Sequence, residues 1–126
     1  MKNNYIFIII LLVLLSCKNK TEKIVQFDVE KIKYLGNIKV GDTARNTFYL
    51  RNLSNDIIKI KNVKTSCGCT LANISDTIIK PNTNSQIKTI FVAKKGDIGI
   101  VEKSVIIEAN TEPTFIVLYI KANIIN

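Results

Sequence analysis

The chain has 126 residues, with 18 Lys or Arg against 10 Asp or Glu, a formal net charge of +8, no histidine and no tryptophan. That length allows one modest domain. The lack of histidine removes the commonest general base, the Ser-His and Cys-His nucleophile pairs, and the imidazole ligands of zinc and copper.

Lys2 is the only charged residue before an unbroken apolar run from Tyr5 to Leu15. As a helix rising about 1.5 Å per residue, that run covers roughly half of a ~30 Å hydrocarbon core. It is short for a transmembrane anchor and suits a signal-peptide h-region. The run ends in Leu14-Leu15-Ser16-Cys17, which resembles the lipobox of bacterial lipoproteins, where a small residue precedes the cysteine that is acylated and becomes residue one. The competing reading is an ordinary secretory signal that happens to contain a cysteine; the position, the small residue and the polar segment that follows all favour the lipobox. Residues 1–16 are therefore expected to form a signal-peptide helix, with Cys17 the lipidated first residue and 17–23 a polar tether.

Removing residues 1–16 leaves 110 residues with 17 basic and 10 acidic side chains, a net charge of +7. Export makes nucleic acid an unsuitable partner. The lysines alternate with apolar residues, as in Ile58-Lys59-Ile60-Lys61, which reads as the solvated face of strands. The expected partners are the lipid bilayer, through acylated Cys17, and another envelope protein. No small-molecule substrate is evident, and no cofactor is expected beyond the covalent lipid. Lys18 gives no reason for inner-membrane retention, and Lys18 to Lys23 lacks an acidic run that would suggest surface display. An outer-membrane position facing the periplasm is the expectation.

From Ile24 onward isoleucine, valine, threonine and aromatics dominate, with alternation and no helical stripe. The expected strands are 24–28, 32–38, 45–52, 57–65, 86–93, 100–109 and 114–124. Gly41-Asp42, Ser54-Asn55-Asp56, Pro81-Asn82, Lys95-Gly96-Asp97 and Glu112-Pro113 mark turns between them. About seven short strands with no interposed helix predict an antiparallel β-sandwich over 24–126, a closed barrel being the other architecture. Ile58 and Ile60 share a face, but Val63 has the opposite parity. A bulge near Lys61-Asn62 would return Val63 to the core and carry Thr65, Cys67 and Cys69 inward with it.

Several segments together resemble a known bacterial family. They are Tyr34-Leu35-Gly36-x-Ile38, Phe48-x-Leu50-Arg51-Asn52, Ile58-x-Ile60-x-x-Val63-x-x-Ser66-Cys67-Gly68-Cys69-Thr70, Ile79-x-Pro81, Ile87-x-Thr89-x-Phe91, Gly99-x-Val101-x-Lys103 and Leu118-x-Ile120-Lys121-x-x-Ile124. The family is the one called domain of unknown function 1573, common among lipoproteins and exported proteins, and its Cys-Gly-Cys-Thr segment is the most specific part. The resemblance implies an immunoglobulin-like sandwich and no activity. The chain departs from the pattern where glycines are expected, around Asn55, at Asn82 and at Ala122. Asparagine tolerates left-handed backbone, so the first two departures leave the turns intact.

Cys67-Gly68-Cys69 is the only candidate for chemistry, and three readings stand open. The pair would be a disulfide, although strand residues i and i+2 lie roughly 6.5 Å apart, the upper edge of the permitted range. Gly68 would then fold the segment, and so small a ring would act as a redox element more than as a staple. Alternatively the thiolates would bind a soft metal such as Cu(I), with two ligands forming a poor closed site. The third reading is structural packing at a tight turn, with Gly68 and Thr70 forming the turn.

With no catalytic set, the leading expectation is a non-enzymatic, membrane-anchored binding or scaffolding module. A thiol-disulfide or Cu(I)-handling role through Cys67 and Cys69 is the alternative, and adhesion to anionic envelope polymers a third. The apolar stretch Phe115 to Ile125 is a candidate free edge for strand addition, against the simpler expectation that it is paired inside a sheet.

Overall fold

The computed structural model describes residues 27–126; the expected signal peptide, Cys17 and the tether lie outside the described residues. The described residues form nine strands: β1 (Phe27–Asp28), β2 (Ile32–Lys39), β3 (Thr43–Asn52), β4 (Ile58–Thr65), β5 (Thr70–Ile74), β6 (Ile78–Ile79), β7 (Asn84–Val92), β8 (Gly99–Ala109) and β9 (Phe115–Ile125). The seven expected strands are all represented. The two additional ones, β5 and β6, are short and lie where alternation is weak.

The strands form two open sheets, in the orders β1-β3-β7-β5 and β2-β9-β8-β4-β6. The molecule is thus an immunoglobulin-like sandwich, and neither sheet closes into a barrel. From β1 to β8 each successive strand changes sheet; only β8 and β9 remain together, as a hairpin. The pairs are antiparallel as expected, with one correction: β2 runs parallel to β9. Parallel neighbours need a long connection, and here residues 40–114 intervene.

Period-two alternation explains how the layers close. Along β9, Ile116, Leu118, Ile120, Ala122 and Ile124 are buried while their neighbours are not. Ile116, Leu118 and Ile120 cluster with Val105, Ile107 and Ala109 of β8, and across the sandwich with Phe48 and Leu50 of β3 and Ile87 of β7. Each such large side chain contributes about 1.5–3 kcal/mol on burial. A second cluster, Ile38, Phe91, Ala93, Ala122 and Ile124, fills one end.

The expected bulge in β4 is present. Ile60 faces Ala109 and Asn62 faces Glu108, so two steps on β4 match one on β8. Val63 consequently packs against the core, and Thr65, Cys67 and Cys69 follow it as half-buried residues. A second register shift, between Tyr34 and Asn37 of β2, is not visible in the apolar pattern. Gly36 accommodates it at φ +71°, in the left-handed region that costs glycine little.

Of the two readings of Phe115 to Ile125, pairing inside a sheet is borne out and the free edge is not. β9 is flanked by β2 and β8, so its apolar character reflects burial inside a sheet.

Candidate functional site: the Cys67–Cys69 crossover

Residues 66–69 carry the chain from β4 in one sheet to β5 in the other. Both ends of this crossover are held by backbone bonds. The Ser66 N–H donates to the Ser104 carbonyl at 3.0 Å, and the Ser104 N–H donates back to Ser66 Oγ at 3.0 Å. On the other side, the Val92 N–H donates to the Cys69 carbonyl at 3.1 Å.

Between these anchors Cys67 and Cys69 are joined by a disulfide, with their Cα atoms 5.4 Å apart. The separation is shorter than the extended-strand value because the segment turns: the Thr70 N–H donates to the Cys67 carbonyl at 3.2 Å. The Thr65 hydroxyl reaches the carbonyls of Cys67, at 3.2 Å, and Thr70, at 2.9 Å. Gly68 is not among the residues with left-handed φ, and a Cβ there would meet nothing within 4 Å. The turn therefore does not use the left-handed freedom of glycine.

Cys69 packs against the cluster of Phe91, Ala93 and Ile124. Cys67 Sγ lies 3.8 Å from the hydroxyl of Thr70, which is itself buried. Nearby, Lys103 points inward from β8, its ammonium 5.7 Å from the centre of the Phe91 ring and 3.1 Å from Asp97 Oδ1. The Lys103 hydrogen bond, more than any other influence, holds the Asp97 carboxyl below its ordinary range.

The site brings together Cys67, Gly68, Cys69 and Thr70, as the sequence suggested; Cys17 lies outside the described residues. With the sulfurs bonded to each other, neither is a free thiolate, and Cu(I) ligation would require prior reduction. Among the described residues no group of three or more Cys, Asp or Glu side chains is placed to hold a metal ion. What this state can do chemically is exchange its disulfide with an external thiol. Lys103 and Asp97 escape a reading of periodicity, because an inward lysine looks like an ordinary break in an apolar face.

The fold is shared with solved structures. A protein of unknown function from Porphyromonas gingivalis W83 superposes with a TM-score of 0.71 at 16% identity, over 81% of this chain and 48% of that one. The chain thus spans about half the length of that relative. The PapD-like domain 7 of human CEP192 matches with a TM-score of 0.62 at 11% identity, over 83% of this chain and 87% of that domain. The secreted serine protease VesC from Vibrio cholerae matches with a TM-score of 0.61 at 11% identity, over 82% of this chain but only 23% of the protease. At these identities the likeness concerns the fold alone. No curated protein matches the sequence. The family model described as "Protein of unknown function (DUF1573)" covers residues 25–124, nearly the whole sandwich with its Cys-Gly-Cys-Thr crossover, and the chain belongs to that family.

Proposed function

We propose that the protein is a non-enzymatic binding or scaffolding module of the bacterial cell envelope, held at the outer membrane, facing the periplasm, by an acylated Cys17. The observation that carries this reading is the sequence Leu14-Leu15-Ser16-Cys17 closing an apolar run and followed by a polar segment. Several acyl chains on one cysteine give durable attachment at about 0.8 kcal/mol per buried methylene. The first described strand begins at Phe27, ten residues beyond Cys17, which leaves room for a tether between bilayer and sandwich. The test is detergent-phase partitioning of the chain expressed in a bacterium fed a labelled fatty acid. The wild type is expected to carry label and enter the detergent phase, and Cys17→Ser to do neither. An unlabelled wild type would remove the anchor from the proposal.

The disulfide favours a second reading, thiol exchange. An external dithiol would attack one sulfur to give a mixed disulfide, releasing the other as a thiolate. Its second thiol would then displace the protein, leaving the dithiol oxidised and Cys67 and Cys69 reduced. Counting free thiols during titration with dithiothreitol tests it. A pair that resists reduction until the fold is denatured would rule exchange out.

A further inference from the structure

The four strands at the sheet edges differ in how they are protected. β1 and β6 have two residues each, and β2 carries Lys33, Lys39 and the register shift at Gly36. Short length, lysines and irregularity are the usual devices against edge pairing. β5, Thr70-Leu71-Ala72-Asn73-Ile74, has none of them: it is uncharged and pairs with β7 in unbroken register, from Thr70 opposite Phe91 to Ile74 opposite Ile87.

The direction of its free backbone groups follows from the flanking bonds. The Val92 N–H donates to the Cys69 carbonyl, and the Ser75 N–H to the Gln86 carbonyl. Residues 69, 71, 73 and 75 therefore point their peptide groups at β7, and 70, 72 and 74 point theirs away. Thr70 is satisfied locally, by the Cys67 carbonyl and the Thr65 hydroxyl. Ala72 and Ile74 face the open edge.

One hollow borders that edge and a second lies on the outer face of the same sheet, over β7 between β5 and β3. One, of about 270 Å³, separates β5 from β4 and is lined by Lys61, Val63, Ala72 and Ile74 among others. The other, of about 470 Å³, runs past Leu71 and Ile90 with Arg45 and Lys88 at its margin. Leu71 is 65% exposed. Three cations and no carboxylate line the two hollows.

We propose that β5 is the docking edge for an extended, acidic segment of a partner protein, added as a further strand with its side chains alternating between the hollow against β4 and the outer face beside Leu71. The positive surroundings choose this occupant over a second copy of the chain, whose own lysines would be brought against them. The proposal deepens the binding-module reading and rests on it.

The test uses the full chain in detergent and two blocked ten-residue peptides, one alternating valine with glutamate and the other valine with lysine. The acidic peptide is expected to slow amide exchange at Ala72 and Ile74 at least tenfold, with an affinity that falls as salt rises. Ala72→Pro deletes an outward donor without touching the β7 ladder and is expected to weaken binding at least tenfold. Leu71→Glu, which sets a carboxylate on the exposed face against the acidic peptide, gives a second readout should the proline variant fail to fold, with the same loss expected. Equal binding of the lysine peptide would overturn the proposal, and so would unchanged affinity in both variants. Protection that appears without peptide and grows with protein concentration would assign the edge to a second copy and also overturn it. If Ala72→Pro keeps every envelope partner of the wild type, the edge assignment falls while the module reading stands.

Discussion

Asn52 Nδ2 donates to the carbonyl oxygen of Ile79 at 2.9 Å, tying the end of β3 in one sheet to β6 in the other. The same amide donates to the Asp56 carbonyl at 2.8 Å, and its Oδ1 accepts from the Ser54 N–H at 2.9 Å and the Ser54 hydroxyl at 2.7 Å. Both amide hydrogens and both lone pairs are thus used, in a side chain with 0% exposure. Asn52→Ala removes all four bonds and leaves buried partners short. At about 0.5–1.5 kcal/mol net for each bond, the expected loss is about 3 kcal/mol, read as a lower urea midpoint with an unchanged slope. Asn52→Asp, which cannot donate and buries a charge, is expected to lose stability at neutral pH as well.

Truncation at the C-terminus distinguishes an internal strand from an edge. Residues 120–126 supply Ile120, Ala122 and Ile124 to the core, and within them β9 pairs with β2 on one side and β8 on the other. Losing two large buried side chains alone costs about 4–10 kcal/mol on the scale of core deletions, comparable with the whole stability of a small domain. A chain ending at residue 119 is expected to show no cooperative thermal transition. A folded truncation would mean that β9 is dispensable beyond Tyr119.

Much of this architecture was legible because alternation survives in the long strands. β8 and β9 read directly as strands, and the parity break between Ile60 and Val63 located the bulge at Lys61. Order within the sheets was not legible, since a chain that changes layer at nearly every turn leaves no local mark of its partners. β5 hid because Leu71 faces outward and Ala72 inward, inverting the usual apolar-in pattern. Asn82 has φ 59°, so asparagine takes a left-handed turn there as expected for a missing glycine. Asn55 has no such φ and meets no comparable demand. The cysteine pair was visible as a pair, but its closure depends on the Thr70–Cys67 turn bond, which the sequence does not display.

Asp97 gives the stability a defined pH dependence. Its Oδ1 receives the Lys103 ammonium at 3.1 Å and its Oδ2 the Lys94 N–H at 3.2 Å. The Lys103 hydrogen bond above all keeps its pKa low, partial burial opposes this, and the Lys94 N–H and the charges of both lysines add to the lowering. A carboxyl depressed by folding contributes fully above its unfolded pKa, about 3.9, and loses that contribution as pH falls through the native value below it. Asp97→Asn is expected to cost about 1 kcal/mol or less at pH 7, and its deficit should shrink as pH drops below about 4. Thermal melts of both chains from pH 7 to pH 2 check the sign. A gap that stays constant to pH 2 would trace the loss to packing instead.

The disulfide is expected to matter little for global stability. Its cysteines are two positions apart, so the closed loop contains three residues and its entropic constraint on the unfolded chain is worth less than ~2 kcal/mol. The crossover also has supports that persist without the bond: the Ser66–Ser104 pair of hydrogen bonds, the Val92–Cys69 bond and the packing of residue 69 on Phe91. Reduction, or Cys67→Ser together with Cys69→Ser, should therefore lower the melting temperature by no more than about 16 °C, at roughly 4–8 °C per kcal/mol for a domain of this size. Cooperativity should be kept. Calorimetry with and without dithiothreitol reads the difference, with free-thiol counts confirming the state of the pair. A loss above ~4 kcal/mol would instead make the bond a principal staple of the sandwich, in which case a stable reduced form, and thiol exchange with it, would be untenable.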